Sequence, residues 1–321
     1  MRCGPILRPL FSAHGFRFVG EYRKNAYINR KAILGDMFRN LSPYAIGIRK
    51  PLKDAVKLAK LGYFQGVEVD INEVSALVEK ESISHVKTLF EHEGIKPGGW
   101  VLPFEWRGDE NTYERGLTRL SRLAHIAARI DCTRVFTWVL PFSDDKPFKE
   151  NFNWHVARLK PIARVLAKEG CRLGLEFIGT ESLRAGHRYD FIHDLNSMLE
   201  LCKALEMENV GLLLDSWHWY ASGGTVEDIR KLKNRDVVYV HVNDAPADTP
   251  IDRLIDNVRC LPGETGVIDL IGFLKALNGI GYDGPVTPEP FSEKVNKMKP
   301  EDAVKTTGEA LRKVWEAAGL P

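Results

Sequence analysis

The stretch WHVARLKPIARVLAKEGCRLGLEF, residues 154–177, contains the unit from which the fold can be predicted. Residues 154–168 carry apolar side chains at three- and four-residue spacing, which predicts an amphipathic helix. Gly170 follows, at the place where a left-handed residue would end that helix. Residues 172–177 form a short apolar run, which predicts a buried strand. Helix and strand together indicate a fold built from βα units.

The same alternation runs along the chain on both sides of this stretch. A second helical pattern covers residues 52–61, and Gly62, Gly94 and Gly281 lie where further helices would end. Eight segments are strand candidates: 44–48, 66–70, 99–103, 135–140, 172–177, 210–215, 237–242 and 285–289. Eight βα units predict an α/β fold, a single-domain (β/α)₈ TIM barrel with its active site at the carboxyl ends of the strands. A doubly wound sheet would need a glycine-rich loop after the first strand, which residues 48–51 do not provide.

Residues 1–41 differ from the rest and are predicted to be a basic N-terminal extension of a barrel that spans residues 42–321. The first forty residues hold eight Arg and Lys side chains against only Glu21 and Asp36. Three interpretations are open: translation starts at Met37, the segment is an ordered surface tail, or it is a targeting peptide.

Composition excludes several classes of partner. The chain has 321 residues, 44% of them hydrophobic, and a formal net charge of +2, so no nucleic acid or anionic membrane is expected to bind it. No apolar run approaches the ~20 residues of a membrane span. Five scattered cysteines without C-x-x-C spacing favour a reducing compartment, and we expect a cytoplasmic protein. A homo-oligomer is compatible with the sequence.

Polar residues of one kind stand at the ends of the last four predicted strands: Glu176, Asp215, His241 and Glu289. Each alone would suggest a helix cap or a loop salt bridge, but four in succession would converge at the barrel mouth. Three carboxylates without a cation would repel one another, and a divalent ion removes that cost. The set predicts one divalent metal site, with Mn²⁺ as our first choice and Mg²⁺, Co²⁺ or Zn²⁺ as alternatives.

These four residues, together with the Asp215-x-x-His218 spacing, resemble the xylose isomerase-like sugar phosphate isomerase/epimerase superfamily. The stretch from His241 through Asp244, with Arg259 and Leu-Pro-Gly-Glu downstream, is similar to its inosose isomerase-like and ketose 3-epimerase-like members. The resemblance implies that Glu176, Asp215, His241 and Glu289 bind the metal, and that Glu176 and Glu289 also exchange protons with substrate. This sequence departs from the family pattern at two places: the turn from Pro262 to Gly266, and the prolines that flank Glu289.

The implied activity is isomerisation or epimerisation of a sugar, cyclitol or related polyhydroxy carbonyl compound. A cation on the carbonyl and hydroxyl oxygens would stabilise the enediolate, so that a positioned Glu can remove the neighbouring proton. His218, Arg259, Asp244, Trp138 and Asp70 are the candidates for substrate contact, each weighed against a structural role as a buried hydrogen-bonding group, a surface side chain or a helix cap.

Three alternatives stay open on the same barrel. The first is a dehydratase, because loss of a β-hydroxyl from the same enediolate is a lyase reaction. The second is an abasic-site endonuclease, disfavoured because strands 2 and 3 offer Asp70 and Trp100 where extra histidines would be needed. The third is a non-catalytic sugar-binding barrel, which would be expected to have lost one of the two glutamates.

Overall fold

The computed structural model describes Met1 and residues 36–321. The basic extension was predicted for residues 1–41, and residues 2–35 of it lie outside the described residues. In the described part, no helix is both long enough and apolar enough to cross a membrane.

Eight parallel strands close into a barrel, which confirms the predicted fold class. Around the barrel each strand pairs with its neighbours in chain order, and the last pairs with the first. The strands are β1 Phe38–Leu41, β2 Gly66–Glu68, β3 Lys96–Val101, β4 Arg134–Val139, β5 Arg172–Phe177, β6 Val210–Asp215, β7 Val237–Val242 and β8 Pro285–Pro288. A separate antiparallel pair joins Phe142–Ser143 to Tyr189–Asp190 in the loops after β4 and β5.

Helices follow the strands, and apolar helix faces pack on the outside of the barrel. Many begin at a side-chain cap; Asp109, for example, accepts the Thr112 N–H at 2.8 Å. The helices are α1 Leu52–Leu61, α2 Ile71–Lys80, α3 Ile83–Glu93, α4 Glu110–Arg129, α5 Phe148–Lys168, α6 Leu195–Ala204, α7 Ser216–Ala221, α8 Val226–Arg230, α9 Leu270–Gly279, α10 Glu293–Asn296 and α11 Pro300–Ala317.

The predicted first strand, 44–48, is wrong. Tyr44–Ile46 is a 3₁₀ turn that ends at Gly47, whose φ of 76° is left-handed. Ala45 and Ile46 are buried there, so the apolar pattern reflected burial and not a strand. The first strand is β1, which pairs with β8 through Phe38 and Pro285. The barrel therefore begins before residue 42.

Three of the four predicted helix-ending glycines are left-handed, with φ of 68° at Gly94, 69° at Gly170 and 75° at Gly281. The prediction is wrong for Gly62, which has φ of −87°. The next residue, Tyr63, takes the left-handed conformation instead, with φ of 63°.

The interior of the barrel holds a small core with polar groups in it. Phe136 of β4 stacks on Tyr239 of β7 at 4.3 Å between ring centroids. The Tyr239 hydroxyl accepts a hydrogen bond from Asn40 Nδ2 at 2.8 Å and lies 3.0 Å from the Thr287 hydroxyl. This layer forms the floor beneath the carboxyl ends of the strands.

Candidate metal centre

The ends of β5 to β8 bring Glu176, Asp215, His241 and Glu289 together, and one ligand atom from each lies within 4.8 Å of all the others. Asp215 and His241 are register partners on adjacent strands. Glu289 follows β8 directly, and its N–H donates to the Val242 carbonyl at 3.1 Å. The convergence expected from strand ends in a parallel barrel is therefore present.

Several polar atoms of this cluster are buried without a hydrogen-bond partner. They are Glu176 Oε1 and both ring nitrogens of His241. His241 Nδ1 lies 3.5 Å from Glu176 Oε1 and 3.3 Å from Glu289 Oε2. Buried polar atoms without partners are costly, and a divalent cation is a partner that three carboxylates and an imidazole can share. The residues present fit such an ion.

The ionisation of the cluster reflects burial and crowding. The pKa of Glu176 is raised to about 7, mainly by burial; His241 opposes the shift and the Glu289 carboxylate adds to it. Burial alone would lower the pKa of His241, but the carboxylates of Glu289 and Glu176 outweigh it and raise that pKa well above its usual range. Negative charge around His241 thus dominates the electrostatics of the site.

Arg259, from the long loop after β7, reaches two of the four candidate ligands. Its Nη1 lies 2.8 Å from Asp215 Oδ2 and 3.0 Å from Glu289 Oε2. Asp256 fixes the other side of the guanidinium, accepting from Nη2 at 2.8 Å. The guanidinium stands over the rings of Trp217 and Phe291. Arg259 is therefore a buried, fixed positive charge at the edge of the centre.

Asp215 keeps its charge in spite of complete burial. Burial would raise its pKa, but nearby positive charge, chiefly that of Arg259, lowers it below the ordinary value. Its Oδ1 accepts from the Trp217 N–H at 2.9 Å and from Asn243 Nδ2 at 3.1 Å. These contacts fix the orientation of the carboxylate before any ligand arrives.

His218 lies behind Asp215 on α7 and is 1% exposed. Its Nδ1 accepts the Gly179 N–H at 3.2 Å, which places the ring proton on Nε2, 3.5 Å from Asp256 Oδ1. Burial lowers the pKa of His218, so the ring is neutral. Its contacts join it to Asp256, and through Asp256 to Arg259.

Two further candidates for substrate contact stand elsewhere on the rim. Trp138 is the register partner of Glu176 and is 40% exposed at the barrel mouth. Asp70 caps α2, accepting the Asn72 N–H at 2.9 Å, and borders a pocket beside β2. Trp138 faces the same opening as the metal centre, whereas Asp70 lies beyond the end of its strand.

Asp244 does not fit the predicted substrate contact. It is fully buried, and its two carboxylate oxygens accept four backbone N–H groups, from Ala245, Thr265, Gly266 and Ile268 at 2.7–3.0 Å. A carboxylate with that many donors is already satisfied. Asp244 instead holds the loop after β7 in shape.

Glu68, the last residue of β2, was not among the predicted site residues. The Tyr239 hydroxyl donates to Glu68 Oε2 at 3.3 Å, so the carboxylate enters the barrel interior. Burial raises its pKa to about 7; His241 lowers that pKa and Glu289 raises it. The signal was available, since Glu68 and Asp70 have the same strand parity. The two residues differ in their position relative to the strand: β2 ends at Glu68, and Asp70 lies beyond that end.

The xylose isomerase-like TIM barrel family matches residues 55–314, and the chain belongs to that family. Among its relatives, the inosose isomerase of Bacillus velezensis is 25% identical over 266 residues, covering 82% of this chain and 91% of that protein. The 3-dehydroshikimate dehydratase of Pseudomonas aeruginosa is 33% identical over 132 residues, which cover 40% of this chain but 20% of the dehydratase.

Solved structures share the whole barrel. A xylose isomerase domain protein from Alicyclobacillus acidocaldarius superposes with a TM-score of 0.79 at 28% identity, covering 88% of this chain and 99% of that one. The IOLI protein with a bound zinc atom superposes with a TM-score of 0.71 at 22% identity, covering 87% and 98%. These matches agree with the predicted family and fold.

Proposed function

We propose that the protein is a divalent-metal-dependent isomerase or epimerase of a sugar or cyclitol. The observation that carries the proposal is the pair of glutamates on either side of His241. Glu176 and Glu289 come from β5 and β8, which are separated in the barrel by two strands, and each places a carboxylate oxygen within 3.5 Å of His241 Nδ1. The inosose isomerase relative supports the substrate class.

The two glutamates are the proton carriers in this proposal. A C–H next to a carbonyl is a very weak acid, so its removal needs a base placed within hydrogen-bond reach. One glutamate, ionised at the start, takes the proton, and the other, protonated at the start, delivers its own proton from its side, either to the same carbon or to the neighbouring one. A divalent cation held by the four side chains would supply positive charge beside the substrate oxygens as the proton leaves.

Trp138 would contact the substrate, and Arg259 would orient the centre. The donors of the Arg259 guanidinium are taken by Asp215, Glu289 and Asp256, so it fixes these carboxylates instead of making the substrate contact predicted for it. His218 holds this arrangement through Asp256, and Trp138 offers an exposed aromatic wall. We take Mn²⁺ as the first metal to test; the zinc atom in the IOLI protein makes Zn²⁺ the second. The free thiols Cys132, Cys171 and Cys202 fit a cytoplasmic location.

A dehydratase is the second candidate, favoured by the similarity to 3-dehydroshikimate dehydratase over 132 residues. It would use the same first proton transfer and then lose a hydroxyl group. The two reactions differ in their product, since only the dehydratase releases water.

Exchange of substrate C–H for deuterium from solvent tests the shared step. With Mn²⁺ added, the parent enzyme should exchange a proton of at least one inosose or free ketose, followed by NMR. Glu176→Gln and Glu289→Gln remove the base but keep the size, so turnover should fall by about a hundredfold or more. Exposed Glu114→Gln on α4 is the matched control.

Metal binding is measured on the same proteins. Calorimetric titration should show about one ion per chain, with weaker binding in His241→Ala and only a partial loss in the two Gln variants. If both Gln variants, saturated with metal, turn over within about tenfold of the parent, the assignment of the two bases is wrong.

A further inference from the structure

The barrel mouth has a second wall, opposite the metal ligands. Residues paired in register share one face of a sheet. Val101 pairs with Phe136, which points into the barrel, and Glu68 pairs with Gly99, where an added Cβ would meet the Tyr239 ring. Glu68, Val101 and Trp138, from β2, β3 and β4, therefore face the opening from the side away from β6. We call these three residues the distal wall.

Glu68 is the acidic group of the distal wall, and it is held in place. Its Oε2 accepts from the Tyr239 hydroxyl, which Asn40 and Thr287 fix in turn. The residue is half-buried and borders a pocket of about 360 Å³ that also includes Val101. A carboxylate accepts about four hydrogen bonds, so the bonds from Tyr239 and Ser42 leave lone pairs for a ligand that donates hydrogen bonds.

The barrel mouth is small enough for one substrate to contact both the metal centre and the distal wall. Side chains fill the interior of this eight-stranded barrel, so a small ligand lies above them, among the strand ends at the mouth. A substrate whose carbonyl end lies at the metal centre must therefore extend across the opening, and its far end meets the distal wall.

From this geometry we propose that Glu68 determines specificity by binding the hydroxyl groups at the far end of an uncharged, polyhydroxylated substrate. This inference rests on the proposed function and narrows its substrate to the unphosphorylated class. A hydroxyl donates to a carboxylate, whereas a phosphate dianion would be repelled by it. Two basic residues border the same pocket, Arg49 and Lys50, and both are exposed. The Arg49 side chain stacks on Tyr44, with its guanidinium carbon 3.6 Å from the ring centre.

The test compares long and short substrates. Deuterium exchange is followed for an inosose and for dihydroxyacetone, a three-carbon ketose that lacks the far-end hydroxyl groups of the inosose. In Glu68→Gln, the ratio of kcat/KM for the inosose to that for dihydroxyacetone should fall by about tenfold to a hundredfold, mainly through KM. Glu68→Asp keeps the charge and should recover part of the ratio. Glu114→Gln should leave the ratio at the parent value.

Equilibrium binding separates this inference from the proposed function. Unreactive myo-inositol, titrated by calorimetry into the Mn²⁺-loaded protein, should bind more weakly to Glu68→Gln than to the parent even if no substrate is turned over. Absence of exchange in the parent would defeat the proposed function alone. Equal losses for the inosose and dihydroxyacetone with unchanged myo-inositol binding would overturn the role of Glu68. So would a parent enzyme that prefers a ketose phosphate to the free ketose.

Discussion

Single residues at the barrel mouth combine burial with charge. Glu176, Asp215 and Glu289 lie close enough to repel one another, and the opposite charges within reach are His241 and the fixed guanidinium of Arg259. Such arrangements are expensive for folding and are typical of functional sites. Glu68 belongs to the same pattern from the other side of the opening, because burial raises its pKa more than His241 lowers it.

The raised pKa of Glu68 predicts a dependence of stability on pH. The carboxyl pKa is about 7 in the folded protein against 4.5 as the ordinary value. Its contribution to stability is therefore fully present below pH 4.5 and is lost as the pH rises through about 7. Glu68→Gln removes this loss, so relative to the parent it should gain about 1–3 kcal/mol between pH 5 and pH 8. Urea unfolding with EDTA present measures the difference.

The matched control is again Glu114→Gln, on the exposed surface of α4. Its stability relative to the parent should change little over the same range. A Glu68→Gln variant that loses stability relative to the parent as the pH rises would show that the carboxyl is ionised and stabilised in the folded protein.

Among the structural elements, the loop from β7 to α9 positions Arg259 at the candidate site. Asp244 gathers four backbone N–H groups, and its own backbone pairs with Cys260 through two hydrogen bonds of 2.8 and 3.0 Å. Arg259 is the residue before Cys260, so this pairing sets where the guanidinium enters the site. Ser182, in the loop after β5, donates to the Leu254 carbonyl at 2.7 Å and joins the two loops.

Asp244→Asn should act on stability first. The amide nitrogen of Asn would face backbone N–H groups that now donate to the carboxylate. We therefore expect a loss of about 2–4 kcal/mol in the free energy of unfolding. Denaturant titration measures it, with exposed Asp248→Asn as the control. An unchanged stability combined with a raised KM would instead support direct substrate contact by Asp244.

At the scale of the described chain, the candidate site lies at one end of a closed barrel. Every strand of the barrel lies between Phe38 and Pro288, and the four candidate ligands lie at or just after the ends of β5 to β8. A closed barrel has no free edge, so removing one strand opens the sheet and exposes unpaired backbone groups. The position of β1 therefore decides how much of the N-terminal segment the barrel can lose.

Two truncations test that limit. A chain that starts at Met37 retains every barrel strand, and it should fold and keep metal-dependent activity. A chain that starts at Ser42 lacks β1 and should be insoluble or inactive, because β8 and β2 lose their partner. Circular dichroism and the deuterium-exchange assay report the outcome. Loss of folding in both chains would show that residues 1–36 are needed for stability.

The sequence by itself determined the barrel and the four strand-end residues, because alternating hydrophobic patterns and the residues at strand ends are local properties. The bounds of β5, β6 and β7 and of α1 agree with the predicted ranges for the same reason. The first strand could not be predicted, because Phe38–Leu41 contains Arg39 and Asn40 and is less apolar than Tyr44–Ile46. Only its pairing with β8 and β2 makes it a strand.

Side-chain roles also depended on the tertiary structure. Asp244 and Asp70 have the residue type and position of substrate ligands, but the backbone N–H groups that occupy them come from the fold of the loop after β7 and the start of α2. The Glu68 carboxylate is positioned by the Tyr239 hydroxyl, which is 171 residues away in sequence and 3.3 Å away in space. Such distant contacts are fixed only when the barrel closes, because closure brings the ends of all eight strands to one opening.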